Sequence, residues 1–203
     1  MEYINAAPVA SAIFVLTILT SIYAFNNYNL YAKFVLHPYS VSRGQRIYTY
    51  VTSGLIHANW MHLFFNMFTF FFFAFNLEVM IGHWQFSLLY IGSLILSDMP
   101  TVMRHKDDFR YNSLGASGAI SAVLFSYILF QPLSMIGVMF IPMPAILFGV
   151  LYLVYCMYMS KNANDNINHD AHFFGALTGL IFTVLLVRGI IPHFIDQLAS
   201  IWQ

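Results

Sequence analysis

The chain has 203 residues, of which 60% are hydrophobic and 8% charged, and its formal net charge is zero. Soluble domains carry about a quarter charged residues, so this composition excludes a water-covered globule and makes lipid the natural solvent. The lack of any basic tract excludes nucleic acid as a partner. At roughly 20 residues per span plus a turn, about six membrane helices use up the whole length. Residues 1–203 therefore read as a single transmembrane domain with no separate soluble module.

Taken in order, the first apolar segment runs from about Ala7 to Phe25. Met1–Asn5 lacks the basic flank of a cleaved signal peptide, so the segment is expected to be a retained helix. A long connection, Asn26–Ile56, follows with many aromatics, Pro38, Gly44 and Arg46, and is expected to be structured and partly embedded. The second segment spans about Trp60–Leu77 and the third about Trp84–Met103, followed by a charged loop, Arg104–Leu114. The fourth runs from Ser117 to Phe130 and stops at Gln131-Pro132. Leu133–Met143, apolar but broken by Pro142, is placed at the membrane interface. The fifth segment, about Pro144–Met159, holds the lone cysteine, Cys156, read as a small core residue. A polar, Asn-rich stretch, Lys161–His169, leads to the sixth, about Ala171–Val187. The tail Pro192–Gln203 is expected to lie on the membrane as an amphipathic helix.

The fourth segment is short. Its Ser117–Phe130 run makes about 20 Å of helix against a hydrocarbon thickness near 30 Å. With Gln131-Pro132 at one interface, Ser117 lies roughly 10 Å below the other. Non-helical backbone at that depth needs protein or trapped water to satisfy it. A buried, water-filled cavity with a serine at its floor is the expectation.

Around that serine the chain reads Ser113-Leu-Gly-Ala-Ser-Gly-Ala-Ile120. Gly115 and Gly118 allow another backbone or a substrate carbonyl to approach, and a helix N-terminus offers N–H groups to a developing oxyanion. The alternative is a small-residue helix contact without chemistry. On the sixth segment His172, Gly175 and Gly179 share one face. Gly175-x-x-x-Gly179 is a close-packing motif, for which the glycines around Ser117 are an obvious partner. His172 would then sit beside Ser117 as a general base, the alternative being a structural histidine bonded between helices. At the start of the second segment His62 and Asn66 are four apart and carry N–H donors suited to an oxyanion. They could equally form a polar patch among the headgroups. His57, one turn earlier, reads as a structural partner.

Together these stretches resemble the rhomboid family. They supply its His-x-x-x-x-His-x-x-x-Asn-Met, from His57 to Met67, its Gly-x-Ser-Gly, from Gly115 to Gly118, and its Ala-His-x-x-Gly-x-x-x-Gly, from Ala171 to Gly179. Leu77-Glu78, Gly82 and Arg46 extend the likeness over nearly the whole chain as a minimal six-helix core. The resemblance implies an all-α membrane protein whose fourth helix starts buried. It also implies a serine endopeptidase that cleaves membrane proteins within or next to their transmembrane segments. Ser117 would be the nucleophile and His172 the base. His62, Asn66 and the Ser117 backbone N–H would form the oxyanion hole, with no cofactor and no metal. The implied partners are transmembrane substrates and the lipid bilayer. The implied location is the bacterial inner membrane, with the site opening on the extracytoplasmic side.

Three features sit awkwardly with that pattern. Asp170, two residues before His172, points about 160° away on a helix and is not expected to complete a triad. Many relatives carry an aromatic against the histidine one turn after the nucleophile, where this chain has Ser121, so His172 must be positioned by other residues. Lys33, Arg43, Arg46, Arg104, Lys106, Arg110 and Lys161 fall on the side the resemblance makes extracytoplasmic and Arg188 alone on the other, contrary to the positive-inside rule. Two rival readings remain open. One is a non-cleaving rhomboid-like binder of membrane clients, whose known examples usually lack the serine or the histidine. The other is a bis-histidine haem or metal protein using His57, His62 and His172, which leaves Gly115–Gly118 without a purpose.

Overall fold

The computed structural model describes residues 5–138, 141–162, 165 and 167–200. The expectation for the extreme N-terminus lies outside these residues, as do parts of those for the interfacial stretch, the Asn-rich loop and the end of the tail. Ten helices are numbered here among the described residues: α1 Pro8–Phe25, α2 Tyr28–Phe34, α3 Pro38–Val41, α4 Thr49–Thr52, α5 Trp60–Ile81, α6 His83–His105, α7 Ser117–Phe130, α8 Ala145–Asn162, α9 His169–Leu186 and α10 Ile190–Ala199. Helices α1, α5, α6, α8 and α9 are long and apolar enough to cross a membrane, and α7 is a shorter apolar helix of 14 residues. The protein is an all-α membrane protein, with one small addition. The stretch expected at the interface forms a two-stranded antiparallel hairpin, β1 Met135–Val138 and β2 Ile141–Pro144.

Boundaries differ from expectation where a cap is tertiary or lies outside the apolar run. Helix α5 continues four residues past Leu77 because Glu78 is buried, not solvated, and it ends at Gly82, whose φ of 93° breaks the helix. Helix α9 starts at His169, two residues before the expected Ala171, because the Asn168 side chain accepts from the Ala171 N–H. Helix α8 runs to Asn162, three residues beyond the expected end. The tail helix begins at Ile190, after Gly189 in the left-handed conformation.

Helix α7 is the centre of the molecule. Every residue from Gly118 to Ser126 is buried. Leu63, Met67 and Phe70 of α5, with Phe86 and Leu89 of α6, join its Ala119, Ile120 and Val123 in one core. Outer faces are apolar too: Phe64, Phe65, Phe68 and Phe72 of α5 are exposed, as a lipid-facing surface requires. Helix α1 leans on α5 through Phe14, whose ring meets Phe70, Phe71 and Phe75 at 5.9–6.2 Å.

Two ionisable side chains tie backbone ends of these elements to other parts of the chain. Glu78, fully buried, accepts from the Val9 and Ala10 N–H groups at 3.1 and 2.6 Å, and His83 Nδ1 lies 2.7 Å from it. It caps α1 from another helix, after a Pro8 that has no N–H to satisfy. Arg46, at φ 54°, donates to the carbonyls of Ala32, Lys33 and Val35 and so closes the C-terminal end of α2. The long first connection is thereby a folded unit of α2, α3, α4 and a 3₁₀ turn, Ser53–Leu55.

Removing Glu78 leaves the partly buried Val9 N–H and the buried Ala10 N–H without that acceptor. Glu78→Ala is expected to cost about 2–4 kcal/mol, read as a lower unfolding midpoint in detergent. Glu78→Gln, which keeps one acceptor oxygen, should fall between the two.

Candidate active site

Ser117 is the first residue of α7 and the loop before it is tied down on three sides. Ser113 pairs with Leu36 of the first connection through two backbone hydrogen bonds of 2.9 Å. The Gly115 N–H donates to the Ser53 carbonyl at 2.9 Å. Asn168, at the start of α9, donates to Ser113 Oγ at 3.0 Å and accepts from Thr101 of α6 at 3.0 Å. Non-helical backbone beside an apolar core is satisfied here by protein, as it must be without water. Gly115 has φ 113°, open to glycine alone, and a Cβ there would lie 2.6 Å from His62 Cε1.

His172 stands in the first turn of α9 with Nε2 2.7 Å from Ser117 Oγ, and both residues are partly buried. The distance follows from glycine. A Cβ on Gly175 would collide with the Gly118 carbonyl, and one on Gly179 with that of Ala122, so α9 lies on α7 backbone to backbone. The partners of the Gly175–Gly179 face are thus Gly118 and Ala122, while Gly115 makes room for His62 instead. Gly118 is further enclosed by Ser97 of α6, whose Oγ and Cβ leave no space for a side chain. The Asp170 carboxylate pairs with Arg104 at 2.5 Å and accepts from Ser160, so its charge is spent away from His172.

On the other side of Gly115 stands the His62 ring, with Nδ1 3.4 Å from the Ala58 N–H. Nδ1 accepts there, so the ring proton is on Nε2, available to donate. Asn66, buried one turn on, gives one amide hydrogen to the His62 carbonyl at 2.9 Å and keeps a second. His57 is fully buried with Nδ1 2.9 Å from Ser21 Oγ, and its ring meets that of His62 edge-on at 4.9 Å. Burial, with the neighbouring His62, depresses its pKa to about 3, so it stays neutral and acts as a wedge behind His62. Helix α7 itself has no side-chain cap, unlike α2, α5 and α9, which begin with Asn27, Asn59 and Asn168. Its first N–H groups have no intrahelical acceptor.

A serine bonded to a histidine across two glycine-packed helices, beside N–H donors, supplies the kinds of group that acyl transfer uses. Residues 44–189 match the Rhomboid domain family. The chain belongs to the rhomboid family. It is 38% identical over 141 residues to the "Putative rhomboid protease YdcA" of Bacillus subtilis, covering 68% of this chain and 66% of that protein. It is 24% identical over 177 residues to the mitochondrial "RHOMBOID-like protein 12" of Arabidopsis thaliana, covering 77% of this chain and 53% of that one. The match thus spans just under two thirds of one relative and about half of the other.

In this rhomboid the aromatic partner of the histidine comes from another helix. Tyr152 of α8 lies parallel to His172, with 14° between the rings and 6.3 Å between centroids, and its hydroxyl is 2.8 Å from Ser121 Oγ. The hydroxyl at position 121 therefore holds a ring that it cannot itself supply. Sequence reasoning missed Tyr152. The available signal was the unexplained serine one turn after Ser117.

The glycine contact is the part of this geometry that tolerates least. Gly175→Ala is expected to destabilise by about 1–3 kcal/mol through overpacking. Thermal unfolding in detergent measures it, and Gly137→Ala, where a Cβ meets nothing within 4 Å, is the control expected to stay near wild type.

Proposed function

We propose that this rhomboid is an intramembrane serine endopeptidase working by a Ser117–His172 dyad. The observation that carries the reading is the 2.7 Å contact between Ser117 Oγ and His172 Nε2. His172 takes the hydroxyl proton as Oγ attacks the scissile carbonyl, then returns it to the leaving amine. Water, activated by the same imidazole, releases the acyl group. Oxyanion charge is met by the Ser117 backbone N–H, His62 Nε2–H and the second Asn66 amide hydrogen. Residues 1–203 act as one unit in this reading, and no cofactor takes part in the steps.

The substrate class is a membrane protein cut within or next to a transmembrane segment. A helix must unwind before its amide reaches a serine at the start of a buried helix, so small or helix-breaking residues are expected near the cut. Tyr152 keeps the His172 ring in its productive orientation.

Cleavage of a transmembrane reporter in liposomes tests the reading. Ser117→Ala and His172→Ala should each lower kcat by about 10⁴-fold or more, and His62→Ala by about 10²-fold. Tyr152→Leu should lower kcat by up to about tenfold with KM little changed, the worth of one ring contact. Equal cleavage by Ser117→Ala would sink the mechanism. Inert wild type on several reporters would favour the client-binding reading.

We further propose a bacterial inner-membrane location with the site open to the extracytoplasmic side. Three of the cations that argue for the opposite orientation are engaged: Arg46 with carbonyls, Arg43 with Tyr39, Lys106 and Asp107, and Arg104 with Asp170. A membrane-impermeant thiol reagent should label Asp108→Cys in intact cells in a Cys156→Ala background. Labelling only after lysis would reverse the orientation.

A further inference from the structure

Cys156 of α8 is fully buried in the core and lies close to His172. One ligand atom each from Cys156, His169 and His172 lies within 4.8 Å of the other two. His169 is 3% exposed, and its Nδ1 is buried without a hydrogen-bond partner among the described residues. A polar nitrogen in that state costs free energy unless something occupies its lone pair or takes its proton. Its other nitrogen, Nε2, stands 3.2–3.3 Å from both carboxylate oxygens of Asp165. A carboxylate on the far nitrogen of a histidine is the arrangement that orients imidazole toward a metal and raises its basicity.

We propose that Cys156, His169 and His172 form an inhibitory site for a thiophilic divalent cation of the zinc class. One thiolate and two imidazoles are the donor set such ions prefer, whereas Mg²⁺ and Ca²⁺ seek oxygen. Zinc bonds of about 2.0–2.3 Å put tetrahedral ligands roughly 3.5 Å apart, within reach of side-chain adjustment, and leave a fourth position for water. Binding deprotonates the Cys156 thiol, with the proton passing to solvent, and takes one lone pair from each imidazole.

The consequence for His172 is the same whichever nitrogen is used. Metal on Nε2 occupies the lone pair that receives the Ser117 proton. Metal on Nδ1 forces the remaining ring proton onto Nε2, which then donates and cannot accept. Either way the base is silenced while the fold is kept. The inhibitory half of this inference rests on the dyad reading above; the binding half does not.

The test uses the full chain in detergent, with Co²⁺ as spectroscopic probe and Zn²⁺ as inhibitor, and Mg²⁺ as control. A thiolate-to-cobalt charge-transfer band is expected in wild type and in Ser117→Ala, and lost in Cys156→Ala and Cys156→Ser. Zinc should block reporter cleavage reversibly to a chelator, and Cys156→Ala should keep basal cleavage while losing zinc sensitivity. Asp165→Asn should raise the zinc concentration needed by about 10-fold or more. No cobalt band in wild type, a band that persists without Cys156, or equal zinc inhibition of Cys156→Ala would each overturn the site. If no reporter is cleaved at all, the protease reading fails while the cobalt spectra still decide the metal site.

Discussion

The 2.7 Å contact between Ser117 and His172 joins two helices whose backbones are separated by little more than hydrogen. They approach this closely twice along one face, at Gly175 on the Gly118 carbonyl and Gly179 on that of Ala122. Lipid supplies no hydrophobic push between helices, so close van der Waals contact between small residues has to supply the association. The same contact decides where the first turn of α9 lies, and with it where His169 and His172 stand.

A close helix pair is not sufficient, because the loop that presents Ser117 is irregular backbone beside an apolar core. Its polar groups are satisfied by segments far away in sequence: Leu36, Ser53 and Asn168 each bond one part of residues 113–115. The folded first connection therefore serves as scaffold, and Arg46 and Glu78 each bond backbone ends. Helix α8 contrasts with this rigidity. It buries only Ala145, Gly149 and Cys156, so Tyr152 reaches His172 from the least embedded of the long helices.

Local pattern made much of this legible. Composition gave the solvent, apolar runs gave the spanning segments, and Ser117–Phe130 was bounded to the residue because a glycine-rich turn precedes it and Gln131-Pro132 follows. The i, i+3, i+7 spacing of His172, Gly175 and Gly179 held the helix face in plain view. What could not be read are contacts between distant parts of the chain: the Leu36–Ser113 pairing, the capping of α1 by Glu78, and Tyr152 standing where Ser121 has no ring. A count of cations by loop is blind to such contacts as well. The count treats Arg43, Arg46 and Arg104 as free charges, and each is engaged in the fold.

The central claim is that His172 makes Ser117 nucleophilic, and it can be tested without any substrate. A fluorophosphonate reacts with an activated serine hydroxyl and leaves a mass tag on it. The account predicts labelling of wild-type protein at Ser117 alone, none in Ser117→Ala, and a rate lower by about 10²-fold or more in His172→Ala. A tag on another residue, or labelling of Ser117 at an undiminished rate without His172, would contradict it.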